Sequence, residues 1–175
     1  MPAFLRPARI LTLSICLSSA ATAAGFAPAA LADNAGKPVM AVAGFDFRDT
    51  SGEIKDQSAE HKARLNDVAS TLLGGLSESG NFEPIALNCQ NGCSARTAGL
   101  EALSRKAGAI EADYLLVGEV HKMSTLVGWM KFAVLDLAEK KPVCDRLLTY
   151  RGDTDEAWHR AAEFVVRDIE RHCVP

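Results

Sequence analysis

Lys37 to Phe47 (KPVMAVAGFDF) is apolar on both of its alternating faces apart from Asp46, and this segment restricts the fold more than any other. A strand of that kind has to be covered on both sides, which calls for helices above and below a sheet. The chain supplies them. Arg48 to Gln57 is a polar loop, and from Ser58 to Ser79 the residues Leu65, Val68, Ala69, Leu72, Leu73 and Leu76 recur at spacings of three and four. That is an amphipathic helix, and Gly80 can take the left-handed position that ends it. Phe82 to Leu87 predicts a short strand, which Pro84 confines to an edge of the sheet.

Thr97 to Ala107 predicts a second helix with Leu100, Leu103 and Ala107 inward and Gly108 as its stop. Tyr114 to Met123 starts as a buried strand and turns polar. Trp129 to Leu137 and Val143 to Tyr150 predict two more strands, joined as a hairpin across Ala138 to Pro142. A last helix runs from about Asp153 to His172, with Trp158, Ala161, Ala162, Val165 and Ile169 on its inward stripe. The order is β-α-β-α-β-β-β-α. Strands linked through helices run parallel and a hairpin runs antiparallel. The expectation is therefore a single α/β domain with a mixed, roughly five-stranded sheet flanked by helices, strand order 2-1-3-4-5.

The first thirty residues carry a different signal. Arg6 and Arg9 precede an Ala- and Leu-rich apolar run with no acid before Asp33, the layout of an export signal. Ala30-Leu31-Ala32 offers small residues for cleavage after Ala32, with Ala21-Thr22-Ala23 as an earlier alternative. Ser, Thr, Gly25 and Pro28 dilute the run below what a membrane span of roughly 20 apolar residues needs. Ile15 before Cys16 does not suit a lipidation site. The expectation is a periplasmic or secreted domain over residues 33–175 with no stable membrane insertion. Loss of residues 1–32 moves the formal charge from −3 to −5, which removes the electrostatic basis for nucleic-acid binding.

Cys89, Cys93, Cys144 and Cys173 remain, an even count that in an exported chain points to disulfides with three possible pairings. Gln90-Asn91-Gly92 is a turn-forming stretch that can bring Cys89 to Cys93, so Cys89–Cys93 with Cys144–Cys173 is preferred. A redox pair is the alternative, but C-x3-C lacks thioredoxin-like C-x-x-C spacing.

No catalytic constellation emerges, and neither a cofactor nor a metal is expected. Asp153, Asp155 and Glu156 could collect a hard cation with Thr154, yet Asp153-x-x-Glu156 also resembles a capping box at the start of the last helix. His61, His121, His159 and His172 have no metal-ligand spacing to one another, and Ser51 and Ser124 lie in no nucleophile elbow. Gly74-Gly75 inside a helical pattern indicates close helix packing. In open α/β sheets a ligand crevice lies outside the strand ends where strand order reverses. Here Asp49, Thr50, Ser51, Lys122, Ser124 and Thr125 would line it.

GFDFRDTSGE, IEADYLLVGEVHKMS and RGDTDEAWHRA together resemble a family of exported bacterial proteins known only as a domain of unknown function. Ala112-Asp113-Tyr114 with Gly118 is also similar to a block in the amino-terminal domain of TolB and in CsgG-type envelope proteins. That resemblance implies a binding module acting through protein contacts in the cell envelope, and it brings no catalytic residues. The leading expectation is thus a non-catalytic periplasmic module with an envelope protein partner. A carrier or sensor of a small polar ligand at the crevice is the alternative, and an enzyme of unidentified class the third.

Overall fold

The computed structural model describes residues 36–90 and 92–173. The export signal expected over residues 1–32 lies outside the described residues. The elements are β1 (Val39–Val42), β2 (Asp46–Asp49), α1 (Ser58–Ser79), β3 (Glu83–Ala86), α2 (Ala95–Ala98), α3 (Leu100–Ala109), β4 (Tyr114–Lys122), β5 (Val127–Asp136), β6 (Lys141–Arg151) and α4 (Asp155–His172). The sheet runs β3-β1-β4-β5-β6, with β2 also paired to β4. β1 is parallel to β3 and β4, β2 is parallel to β4, and β4, β5 and β6 form an antiparallel meander. This is the mixed α/β sheet expected from the sequence, in the expected order, with β3 and its Pro84 at an edge.

Two elements differ from expectation. The first strand divides, and so the sheet has six strands. At Ala43-Gly44-Phe45 the chain leaves β1: the Ala43 N–H donates to the Leu116 carbonyl and the Gly44 N–H to the Cys93 carbonyl, each at 2.9 Å. It returns to β4 one step further along as β2, where Phe47 faces Val120. The break brings the Phe45 ring against Gly118. A Cβ on Gly118 would sit inside the van der Waals envelope of that ring, so Gly118→Ala is expected to cost about 1–3 kcal/mol, measurable by urea unfolding.

The second helix begins at Ala95 and divides at Gly99, whose φ of 80° is the left-handed backbone that glycine adopts without strain. The shift in phase leaves Leu100 43% exposed, while Leu103 and Ala107 are buried as the stripe required.

Each face of the sheet has its own core. On one side α1 and α4 cover Met40, Val42, Leu116, Val120, Met130, Phe132 and Val134, with Trp158 the largest fully buried side chain. Here Gly75 lets the helices approach, since a Cβ on it would meet Val166 Cγ2 at 2.9 Å. On the other side α3 covers Ala41, Ala43 and Leu115. It packs against β4 and reaches neither β5 nor β6 in any substantial contact. Leu135 reaches this second core, but Val127 and Lys131 of β5 and Asp145, Leu147, Thr149 and Arg151 of β6 are exposed on that face.

Cys89–Cys93 and Cys144–Cys173 are both bonded, with Cα atoms 5.0 and 5.1 Å apart. The first closes the loop that Asp46 holds down through the Ser94 hydroxyl and the Arg96 N–H, at 2.5 and 2.9 Å. The second ties β6 to the end of α4. No helix among the described residues is long and apolar enough to cross a membrane.

Candidate functional site

Lys122 ends β4 on the face that α1 and α4 cover, and it is 1% exposed. A lysine withdrawn from water this far has to be matched by charge and hydrogen bonds. Its Nζ donates to Gln57 Oε1 at 2.6 Å and pairs with Asp153 Oδ2 at 2.9 Å and Asp49 Oδ2 at 3.7 Å; Glu53 completes the set. Burial pushes the ammonium pKa down, but Glu53, Asp153 and Asp49 outweigh it, and the pKa is raised overall. Lys122 is a fixed cation.

Asp153 is the anion at the centre. It precedes α4, where His61 and Arg64, one turn apart on α1, converge on it. The His61 ring lies 3.0 Å from Oδ2, Arg64 Nη1 donates to Oδ1 at 2.8 Å, and the Trp158 indole N–H donates to Oδ1 at 3.1 Å. Phe47, His61 and Trp158 stack around the carboxylate, with the His61 and Trp158 rings 5.8 Å apart and 15° from parallel. Burial would raise the Asp153 pKa, but the bonds to His61 and Lys122 and the Arg64 charge hold it at about 2, below the ordinary 3.8. A depressed folded-state pKa gives stability that is complete above the unfolded value and is lost as the pH falls through the folded one. Melting temperature should therefore drop between about pH 4 and pH 2, and Asp153→Asn should flatten that part of the profile, as scanning calorimetry across pH 2–6 would show.

Asp49, Thr50, Ser51 and Lys122 do gather at the strand ends. Thr50 takes its place through its N–H, 2.9 Å from the Lys122 carbonyl, and its hydroxyl, 2.7 Å from His121 Nε2. Asp49 accepts the Ser51 N–H at 2.8 Å. Ser124 and Thr125 lie apart from this group in the β4–β5 turn, where the Ser124 hydroxyl oxygen accepts from Leu126 and Val127 N–H groups. Sequence reasoning passed over Glu53, Gln57, His61, Arg64 and Trp158 as members of one network. It treated Asp153 as a cap, whereas Thr154 caps α4 by accepting the Ala157 N–H. One signal was available: His61 continues the Leu65, Val68, Leu72, Leu76 stripe of α1, and a polar residue on a buried stripe needs a partner.

This arrangement surrounds Lys122 with the chain's own side chains and leaves a cavity of about 300 Å³ beside it, lined among others by Phe47, Asp49, Gln57 and His61. Among the described residues, His121 Nδ1 is the buried polar side-chain atom without a partner, and it lies under Trp129, whose ring meets the His121 ring edge to face at 4.8 Å. No group of three or more His, Cys, Asp or Glu side chains among the described residues is placed so that it could hold a metal ion. The chemistry of the network is mutual neutralisation, and its effect is to lock the 50–57 loop, α1 and the start of α4 onto the end of β4.

The exposed apolar side chains lie elsewhere. Met123, Leu126 and Val127 are 48, 71 and 40% exposed around the β4–β5 turn, next to Trp129, with Leu147 60% exposed one strand over. Arg48, stacked on Trp129 at 5.6 Å, and Lys131 paired with Asp145 add charge to that face.

The fold and its network define an open α/β module whose strand-end charges are matched within the chain and whose second sheet face is partly bare. The chain belongs to the family described as Protein of unknown function (DUF2380), whose model matches residues 38–169. No curated protein matches the sequence. Among solved structures the chain is similar to PelC from Paraburkholderia phytofirmans, solved as a dodecamer, at 13% identity and a TM-score of 0.50 over 80% of this chain and 89% of that one. It is similar to TolB from Acinetobacter baumannii at 14% identity and 0.50, covering 77% of this chain and 28% of that one. A hypothetical protein from Chlamydia trachomatis matches at 12% identity and 0.51, over 78% and 98%. At such identities the likeness is one of fold.

Proposed function

We propose that residues 33–175 form a non-catalytic module of the cell envelope, exported by the signal over residues 1–32, that acts by binding another envelope protein. The observation that carries this reading is the bare sheet face, where Met123, Leu126 and Val127 form an exposed apolar cluster beside Trp129. Contiguous apolar surface of this kind marks contact sites, and the charged rim of Arg48, Lys131 and Asp145 suits the polar border of a protein interface. Ser51 and Ser124 occupy turns, and all four described cysteines are bonded. PelC, which shares the fold and was solved as a dodecamer, favours a role through contacts. A small-ligand carrier at the crevice draws less support, because Lys122 already has its full set of partners there.

The test is residue-specific. A photo-reactive amino acid at Met123 or Val127 in the intact envelope should give a discrete adduct with a second polypeptide, while the same group at Glu78 on α1 gives none. Equal adducts from both faces, or none from either, would count against the proposal. Fractionation should find the chain in the periplasm or medium, beginning at Asp33.

A further inference from the structure

β6 ends the path of the sheet, so one side of its eleven residues offers backbone N–H and C=O groups without a strand partner. Such edges are commonly shielded by charge, and β6 carries Lys141, Asp145, Arg146 and Arg151. The positions of these charges favour a different use. Asp145 and Arg151 pair with Ala133 and Val127 of β5 and so share the bare face. Asp145 meets only the half-exposed Lys131, at 3.2 Å, and Arg151 has no carboxylate at ion-pair distance among the described residues. Below the edge, on the helix side, Leu148, Tyr150, Ala157, Arg160, Ala161 and Phe164 line a groove between β6 and α4, and Phe164 is 47% exposed beside it.

We propose that this edge joins two copies of the chain, β6 running antiparallel to its copy about a two-fold axis at Leu148. A two-fold interface has to be complementary to itself. In this register Asp145 of each copy faces Arg151 of the other, and Leu147 faces Thr149. The ion pair is made twice, on the same face, which direct cross-strand neighbours need in order to attract. On the helix side the axis sets the two Leu148 side chains together and brings the two grooves, each with its Phe164, against one another. Shielding charges would need no such register and would leave Phe164 unexplained. The seam uses β6 and α4 and shares only Asp145 with the rim of the partner surface proposed above, which centres on the β4–β5 turn, so either can fail without the other.

Sedimentation of the exported, oxidised chain should show a concentration-dependent dimer. Asp145→Arg sets like charges opposite each other twice and should weaken the dimer about tenfold, and Arg151→Asp should do the same. The double variant Asp145→Arg/Arg151→Asp restores both pairs and should regain most of the loss. Phe164→Arg, on an exposed site of α4, should weaken it independently, with circular dichroism confirming the fold of each variant. A monomer at millimolar concentration overturns the proposal. So does a dimer that these changes leave intact, or a double variant no tighter than the singles.

Discussion

Replacing Asp153 with alanine is expected to destabilise the fold by about 3–5 kcal/mol, because it removes one partner of a buried charge network and leaves the others unpaired. Lys122, 1% exposed, would keep Glu53 and Asp49 but lose its Asp153 contact. Arg64, His61 and the Trp158 indole N–H would each lose an acceptor at 2.8–3.1 Å. For a domain of this size the melting temperature should fall by about 10–15 °C. Asp155→Ala is the control. Asp155 also accepts from Arg64, at 2.7 Å, but its side chain is 89% exposed, and an exposed pair of this kind contributes below about 1 kcal/mol. Lys122→Met combined with Asp153→Ala should cost less than the two single changes added together, since each removes a charge that the other leaves stranded. Urea unfolding would decide it, and a cost for Asp153→Ala below about 1 kcal/mol would contradict the role given to the network.

Cys173→Ser is expected to lower stability by about 3.5 kcal/mol on the loop-entropy account, which exceeds the roughly 2 kcal/mol for Cys89→Ser because the closed loop is longer. The sequence separations are 29 and 4 residues. The larger effect should also be localised. Cys144 lies in β6 and Cys173 closes α4, so reduction frees the carboxyl end of α4 from the sheet while Arg146 still holds Asp168 at 2.9 Å. Hydrogen exchange under reducing conditions should rise first in the last two turns of α4 and only later near Trp158. Thiol counting by mass spectrometry of the oxidised chain should find neither Cys144 nor Cys173 free; free thiols there, or exchange rising uniformly, would remove the bridge from the account.

The fold was legible in the sequence because its signals are local. The doubly apolar run around Val39–Val42, the stripe of α1, Gly80 at its end and Pro84 in β3 each act within a few residues, and together they place every layer. The division of the first strand was not legible, since it depends on Phe45 finding space over Gly118, more than seventy positions away, and on the Gly44 N–H reaching the Cys93 carbonyl. The site was half legible for the same reason. Topology alone brings Asp49, Thr50, Ser51 and Lys122 to the strand ends. That the buried charges are matched follows from His61 and Arg64 of α1 meeting Asp153 at the start of α4, a pairing that neither helix reveals on its own. Asp153 also looked like a capping residue, because Asp and Glu at the start of a helix serve that purpose so often.

In the proposed reading this module works through its exposed sheet face, and the strand-end network serves to hold the fold. Photo-crosslinking from Val127 in the intact envelope tests it most directly when combined with a second change on either surface. Adduct yield should fall sharply with Met123→Glu, on the exposed face, and stay level with Ser51→Ala, at the strand ends. Loss of the adduct with Ser51→Ala while Met123→Glu leaves it unchanged would show that the working surface lies at the strand ends and would contradict the account.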